Sequence, residues 1–408
     1  MSCSNLVYDF YECLSDKNIK NMKNTSKNKK FLELYLNKIY SDIFQSYLYS
    51  KKTKIKKKLF HTDKKFDKKM RPNMYDSKFF PKHIKEYTEK NLFNIITYSC
   101  TVYNKNINLY FYVYDKKRDI QIIDNYVKLM IMWIYMLNSY SYNKCSKNLD
   151  VYIYLTPFEK KLPKNYSTVL DTEHVNTAYT TTCPINGEII IFRKEEWFKV
   201  FVHETFHTFG LDFSEMNQDK VNKKIRSLFP INSDINLYEA YCETWAKIIN
   251  ISLLSFDILE NKTNKQLFFS NCEIFLEVEK QFVLFQCNKI LAFMGLEYDN
   301  LYKNDLISRS AREKLYKEHT NVFSYYIITG ILFNNYLKFL AWCNKYNKNV
   351  LYKFKNSENT LMNFCNLIEL LYNDNDFSKT IKDIAISKKI SNYNKLLNTT
   401  RLSIIELN

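Results

Sequence analysis

Glycine is almost absent from this 408-residue chain: Gly187, Gly210, Gly295 and Gly330 are all it has, beside six prolines and six histidines. So few residues suited to positive φ exclude a fold rich in tight αL turns and favour helices joined by polar Asn, Asp and Ser loops. The ten cysteines are scattered singly from Cys3 to Cys365 with no CxxC pair. That excludes the dense disulfide framework of a small secreted domain, and reduced thiols in a cytosolic or nuclear setting are expected. Long apolar runs are missing too. Leu129–Leu137 is too short to cross a bilayer, and Val322–Trp342 is interrupted by Asn334, Asn335 and Lys338, so no membrane span is expected. The opening MSCSNLVYDFYECLSDKN lacks a basic stretch followed by an apolar one, and no signal peptide is expected. The expectation is a soluble intracellular, cytoplasmic protein.

What is present is apolar and basic. At 46% apolar and 16% aromatic residues the chain can bury at least one sizeable core, with two or three subdomains. The enrichment in Lys, Asn, Ile, Tyr and Phe looks like the translation of an AT-rich coding sequence. The net charge of +17 is uneven: residues 1–90 hold 22 Lys or Arg against 10 Asp or Glu. Lys51–Lys58 and Lys64–Arg71 are the densest runs. They suit a nucleic acid or an acidic partner, or simply a solvated face, and no nucleic-acid motif accompanies them.

Periodicity divides the chain into three. Residues 1–90 read as a basic helical region, with Lys30–Leu48 the best helix. Residues 91–212 read as a β-containing lobe. Leu92–Val102 and Ile107–Tyr114 flank a turn at Asn104–Asn106 and predict a hairpin. A helix over Ile120–Ser139 follows, then strands at Val151–Leu155, Val175–Thr182 and Ile189–Phe192. A helix from about Lys194 to Phe209 stops at Gly210, which suits a C′ position. Residues 213–408 read as an α-helical lobe with helices over Met216–Leu228, Ile235–Leu254, Lys265–Leu291, Thr320–Cys343 and Glu358–Tyr372. Ser233 or Asp234 is placed to cap the second of these.

The chemistry sits at His203-Glu204-Thr205-Phe206-His207, an HExxH sequence. On a helix, residues four apart share a face, so both histidines can aim a ring nitrogen at one ion. Glu204 lies beside them without being a ligand, placed to take a proton from water on Zn²⁺. A catalytic zinc needs a third protein ligand. A third histidine after Gly210, the metzincin pattern, is excluded because Phe213 occupies its position, and Asp212 is one residue out of register. The better source is Tyr238-Glu239-Ala240-Tyr241-Cys242-Glu243, whose two glutamates share a helix face among apolar flanks. One carboxylate can complete the metal site, and the other can accept a hydrogen bond from a ligating histidine. Cys242 reads as a small buried thiol.

On His203, Glu204, His207, Glu239 and Glu243 the chain resembles the zincin-like metallopeptidases of gluzincin type, over roughly residues 93–255. The resemblance implies an α+β fold: a zincin-like lobe with a small mixed sheet and the HExxH helix, followed by a mainly α-helical C-terminal lobe. It implies Glu239 as the ligand and Glu243 behind it. It also implies one zinc ion and a peptide or protein substrate lying along an edge strand, where Asn176 and Ala178 would line the cleft. Candidate donors to the transition state are His319, Tyr325 and Tyr326. The wording HETFHTFGLDF also looks similar to uncharacterised peptidase-like proteins of large DNA viruses, which would place the chain in host cytoplasm or virion. The gap from His207 to Glu239 is longer than in compact gluzincins. The alternative expectation is a basic scaffold, associated with nucleic acid or a virion, that keeps a peptidase fold with little activity.

Overall fold

Alternating β-branched and aromatic residues between Asn94 and Val113 form the hairpin that their pattern predicts, and a sheet is built around it. The computed structural model describes residues 6–7, 9–10, 29–61, 70–114, 120–347, 350–383 and 394–406. They fall into a sheet unit, residues 38–159 and 176–212, and a helical unit, residues 1–37, 160–175 and 213–408.

In chain order the sheet unit contains the end of α1 (Lys29–Ser50), β1 (Lys56–His61), α2 (Lys82–Asn91), β2 (Asn94–Val102), β3 (Lys105–Val113), α3 (Ile120–Asn138), β4 (Asn148–Tyr154), β5 (Ala178–Thr180), β6 (Asn186–Ile191) and α4 (Trp197–Thr208). The strand order is β1-β2-β3-β4-β6-β5. The middle strands β3, β4 and β6 run parallel, while β1 and β5 close the two edges antiparallel. Leu109, Val151 and Ile189 are in register across the centre, all fully buried. Both faces are covered, as a sheet with parallel strands requires. On one face Tyr112 and Tyr154 stack at 4.1 Å, in a cluster with Tyr75, Phe80, Ile84 and Phe192. On the other, α3 packs on β2 and α4 on β5 and β6, with Trp197 edge-on to Phe111 at 5.8 Å.

The helical unit is built on α5 (Asp219–Leu228), α6 (Leu237–Asp257) and α7 (Lys265–Phe293). The last two pack along each other. Residues 399–405 thread its interior without regular structure and are buried. Buried side chains hold their carbonyls: Asn250 Nδ2 donates to Ile405 O at 2.9 Å, Gln286 Nε2 to Arg401 O at 2.6 Å, and Lys289 Nζ to Thr399 O. Among the described residues no helix is long and apolar enough to cross a membrane.

The α+β class is therefore as expected, with several departures in detail. The basic region over residues 1–90, expected as short helices and Lys-rich loops, also contains a strand. Its residues 38–90 belong to the sheet unit, because Lys56–His61 pairs as a strand with β2. Single-residue propensity misses this, since only the partner strand makes a lysine run extended. The Lys64–Lys69 part of the second basic run lies outside the described residues. Val175–Thr182 shrinks to Ala178–Thr180, since Thr172–Val175 forms a helical turn. The helix expected over Thr320–Cys343 is broken into a π-helix (Phe323–Ile328) and helices Thr329–Asn334 and Tyr336–Tyr346. Neither Ser233 nor Asp234 caps α6; its N-cap is Asn236, with no side-chain bond to the helix.

The thiol expectation also needs correction: Cys145 and Cys183 are joined in a disulfide. Cys100, Cys242, Cys272, Cys287, Cys343 and Cys365 are free thiols. The disulfide closes a loop with a sequence separation of 38 residues. Replacing both cysteines by serine is expected to cost the sheet unit about 3–4 kcal/mol by the loop-entropy relation. Urea unfolding of the oxidised protein and of the Cys145→Ser/Cys183→Ser variant measures this. Coincident transitions would show that the bond contributes nothing.

Candidate metal centre

Every residue of α4 from Trp197 to Thr208 is buried, so each polar group on it needs a partner inside the protein. Trp133 Nε1 donates to Thr205 Oγ1 at 2.7 Å, and that hydroxyl donates to Val202 O at 2.6 Å. The hydroxyls of Thr208 and Thr180 on β5 share a hydrogen bond of 2.7 Å. At the C-terminal end Ser146 Oγ donates to Thr208 O and Cys183 N–H to His207 O, both at 3.0 Å. The helix then stops as the sequence predicts. Gly210 has φ +64°, its N–H reaches His207 O at 3.0 Å, and Leu211 N–H reaches back to Phe206 O at 2.8 Å. This is a Schellman termination. The positive φ is what calls for glycine here; a Cβ at residue 210 would also be crowded, 3.3 Å from Cys145 Sγ and 3.4 Å from Cys183 Cβ.

The two histidines of the motif come together on this helix. Their ring centroids are 5.1 Å apart and their Nε2 atoms 3.3 Å apart. Two nitrogens each about 2.0–2.1 Å from a tetrahedral ion stand about 3.3–3.4 Å from one another, so this separation fits a shared zinc. On the far side of the His207 ring, Nδ1 is paired with the buried carboxylate of Asp212, which the Gly210 turn carries back. In the sequence Asp212 stands one residue out of register for a third ligand. Its signal was the helix-ending glycine two residues ahead of it. Glu204 follows His203 directly and is 8% exposed.

The glutamates of the second motif lie on α6 in the helical unit. Glu239 is in the first turn, half-buried. Its Oε2 accepts from Tyr325 Oη at 3.1 Å and its Oε1 from Asn321 Nδ2 at 3.3 Å. Tyr325 comes from the π-helix, a geometry whose extra residue per turn re-aims side chains. Glu243 is 1% exposed, with Oε1 on Lys247 Nζ at 2.8 Å; Lys247 also lies 3.5 Å from Glu279. Burial raises the Glu279 carboxyl above its ordinary value, opposed by Lys247 and by the N–H groups of Ile404 and Ile405. Removing one member of such a buried pair strands a charge and costs roughly 3–5 kcal/mol.

The remaining candidates separate. Of the three expected donors, Tyr325 stands on Glu239, whereas the Tyr326 hydroxyl donates to Thr400 O at 2.5 Å. His319 is exposed, 4.0 Å from Asp171. On the sheet unit, Asn176 O accepts from Arg193 Nε at 3.1 Å, and Ala178 is buried at the start of edge strand β5. Phe213, at the position a third histidine would need, is packed among aromatic rings, 4.2 Å from Phe354 and 5.9 Å from Tyr241. Cys242 is a fully buried thiol, as read from its flanks.

No protein-family model, no curated protein and no solved structure matches the chain.

Glu318 fixes the start of the π-helix that carries Tyr325. Its carboxylate takes Phe323 N–H at 2.8 Å, the Tyr316 hydroxyl at 3.3 Å and the Ser233 hydroxyl. Burial raises this carboxyl to about 7 from an ordinary 4.5, although those three bonds oppose the shift. Between these values the folded chain keeps a proton that the unfolded chain releases, so stability falls as pH rises. Glu318→Gln is expected to remove this loss, roughly 2–3 kcal/mol between pH 5 and 8. Urea midpoints of both proteins at the two pH values measure it, and parallel shifts would rule the assignment out.

Proposed function

We propose that the chain is a zinc-dependent peptidase of gluzincin type, its sheet unit serving as a zincin-like lobe. The observation that carries the reading is the 3.3 Å separation of His203 Nε2 and His207 Nε2 on a buried helix. A hydrogen bond between the two rings is the competing account of that distance. It requires one Nε2 to hold a proton, whereas zinc requires both free. Glu239 is the third protein ligand in this reading, on the evidence of the second motif. The neutral donors Tyr325 and Asn321 compensate its carboxylate.

When bound, zinc supplies a Lewis acid that polarises a carbonyl and lowers the pKa of water. Glu204 accepts the proton of the attacking water and delivers it to the leaving amine. Tyr325, held on Glu239, is the donor to the oxyanion in this reading. Strand β5, last in the sheet among the described residues, is the strand an extended peptide would join in this reading. The exposed lysines of Lys51–Lys58 lie on a turn and on edge strand β1, where positive charge disfavours pairing with another strand.

Metal analysis and a peptide-library cleavage assay on wild type and variants test the proposal. Wild type is expected to bind one zinc and cleave. Glu204→Gln is expected to keep the metal and lose at least about a hundredfold in turnover, the usual contribution of a general base. Glu239→Ala is expected to lose the metal. Purified wild type that binds no zinc would sink the proposal, and greater metal loss in Glu243→Ala than in Glu239→Ala would overturn the ligand assignment.

A further inference from the structure

The two nitrogens of the His207 ring face different groups. Nε2 points to the Nε2 of His203, and Nδ1 is paired with Asp212 Oδ2. A neutral imidazole carries one proton, and an ionised carboxylate can only accept. The proton therefore belongs on Nδ1 and the lone pair on Nε2, the nitrogen that faces the other histidine. Asp212 is 3% exposed, and the ring it touches is on a helix whose every residue is buried. Neither partner has solvent room to turn away.

The backbone explains how a residue only five positions beyond His207 reaches that ring. Gly210 at φ +64° reverses the chain, and Leu211 N–H closes the reversal on Phe206 O at 2.8 Å. The Cys145–Cys183 bridge packs directly against this turn. Glu243 on α6, the carboxylate expected behind a histidine, has Oε1 on Lys247 Nζ at 2.8 Å. The sheet unit thus contains its own orienting carboxylate.

We propose that Asp212 is a positioning residue: through His207 Nδ1 it fixes the tautomer and rotation that leave Nε2 free to ligate. This rests on the zinc reading for its purpose, but the tautomer it sets exists without metal. Such partners of a ligating histidine change metal affinity by about 10–100-fold when removed.

The test compares wild type, Asp212→Asn and Asp212→Glu in two measurements. The first is the zinc dissociation constant by competition with a chelator, with thermal melts of the metal-free forms beside it. Asp212→Asn is expected to weaken zinc binding about 10–100-fold while still folding, and Asp212→Glu to recover part of the loss. A role confined to holding the turn would lower the metal-free melting point and leave zinc affinity of the folded protein unchanged, which would overturn the proposal. The second is long-range ¹H–¹⁵N NMR of the metal-free His207 ring. Protonated Nδ1 with bare Nε2 in wild type, lost in Asp212→Asn, supports it; Nε2–H in wild type overturns it. Should wild type bind no zinc at all, the zinc reading fails, and the ring spectrum alone decides whether Asp212 sets the tautomer.

Discussion

A helix that is buried on every side yet carries two histidines and a glutamate sets the terms for the sheet unit. Burying polar groups is unfavourable unless each is matched, and α4 is matched from several directions. Trp133 from α3 answers Thr205, Thr180 from β5 answers Thr208, and Ser146 and Cys183 answer the last carbonyls. These contacts come from segments far apart in sequence. The sheet brings them together, and the helix is consequently held with little freedom to rotate or slide. A rigid helix is what two side chains need if they are to share one ion at fixed separation.

The helical unit faces the same difficulty and solves it with charge. Lys247 lies between Glu243 and Glu279, and the threaded segment supplies N–H groups to the second carboxylate. The same segment receives donors from Lys247, Asn250, Gln286 and Lys289. Polar side chains here replace the ladder that a neighbouring strand would have provided. The arrangement ties α6, and with it Glu239 and Glu243, to residues more than 150 positions further along the chain.

How much of this was legible in the sequence depends on the range of the interactions involved. The spacing of His203 and His207, the halt at Gly210 and the hairpin around Tyr103 are local matters of period and turn chemistry, and they were read within a few residues. The strand at Lys56–His61 was not, because a lysine run becomes extended only through its pairing with β2. The Cys145–Cys183 bond joins residues with no spacing signature. The π-helix carrying Tyr325 hides inside an apolar run whose composition suits an ordinary helix. Asp212 was visible but was judged as a ligand, since sequence distance alone does not say that a glycine turn folds it back onto His207. The fold class and the two-helix distribution of the motifs were thus readable, while the partners of those motif residues were not.

The two ends of the sheet are protected from pairing with another copy in different ways. β1 presents a row of exposed lysines, whereas β5 is only three residues long. Charge repulsion acts through the ionic atmosphere, with a Debye length of about 8 Å at physiological salt and about 3 Å at 1 M. Shortness does not depend on the solvent at all. Raising ionic strength therefore strips the guard from one edge and leaves the other as it was, so the sheet's resistance to edge-to-edge association is lopsided and salt makes it more so.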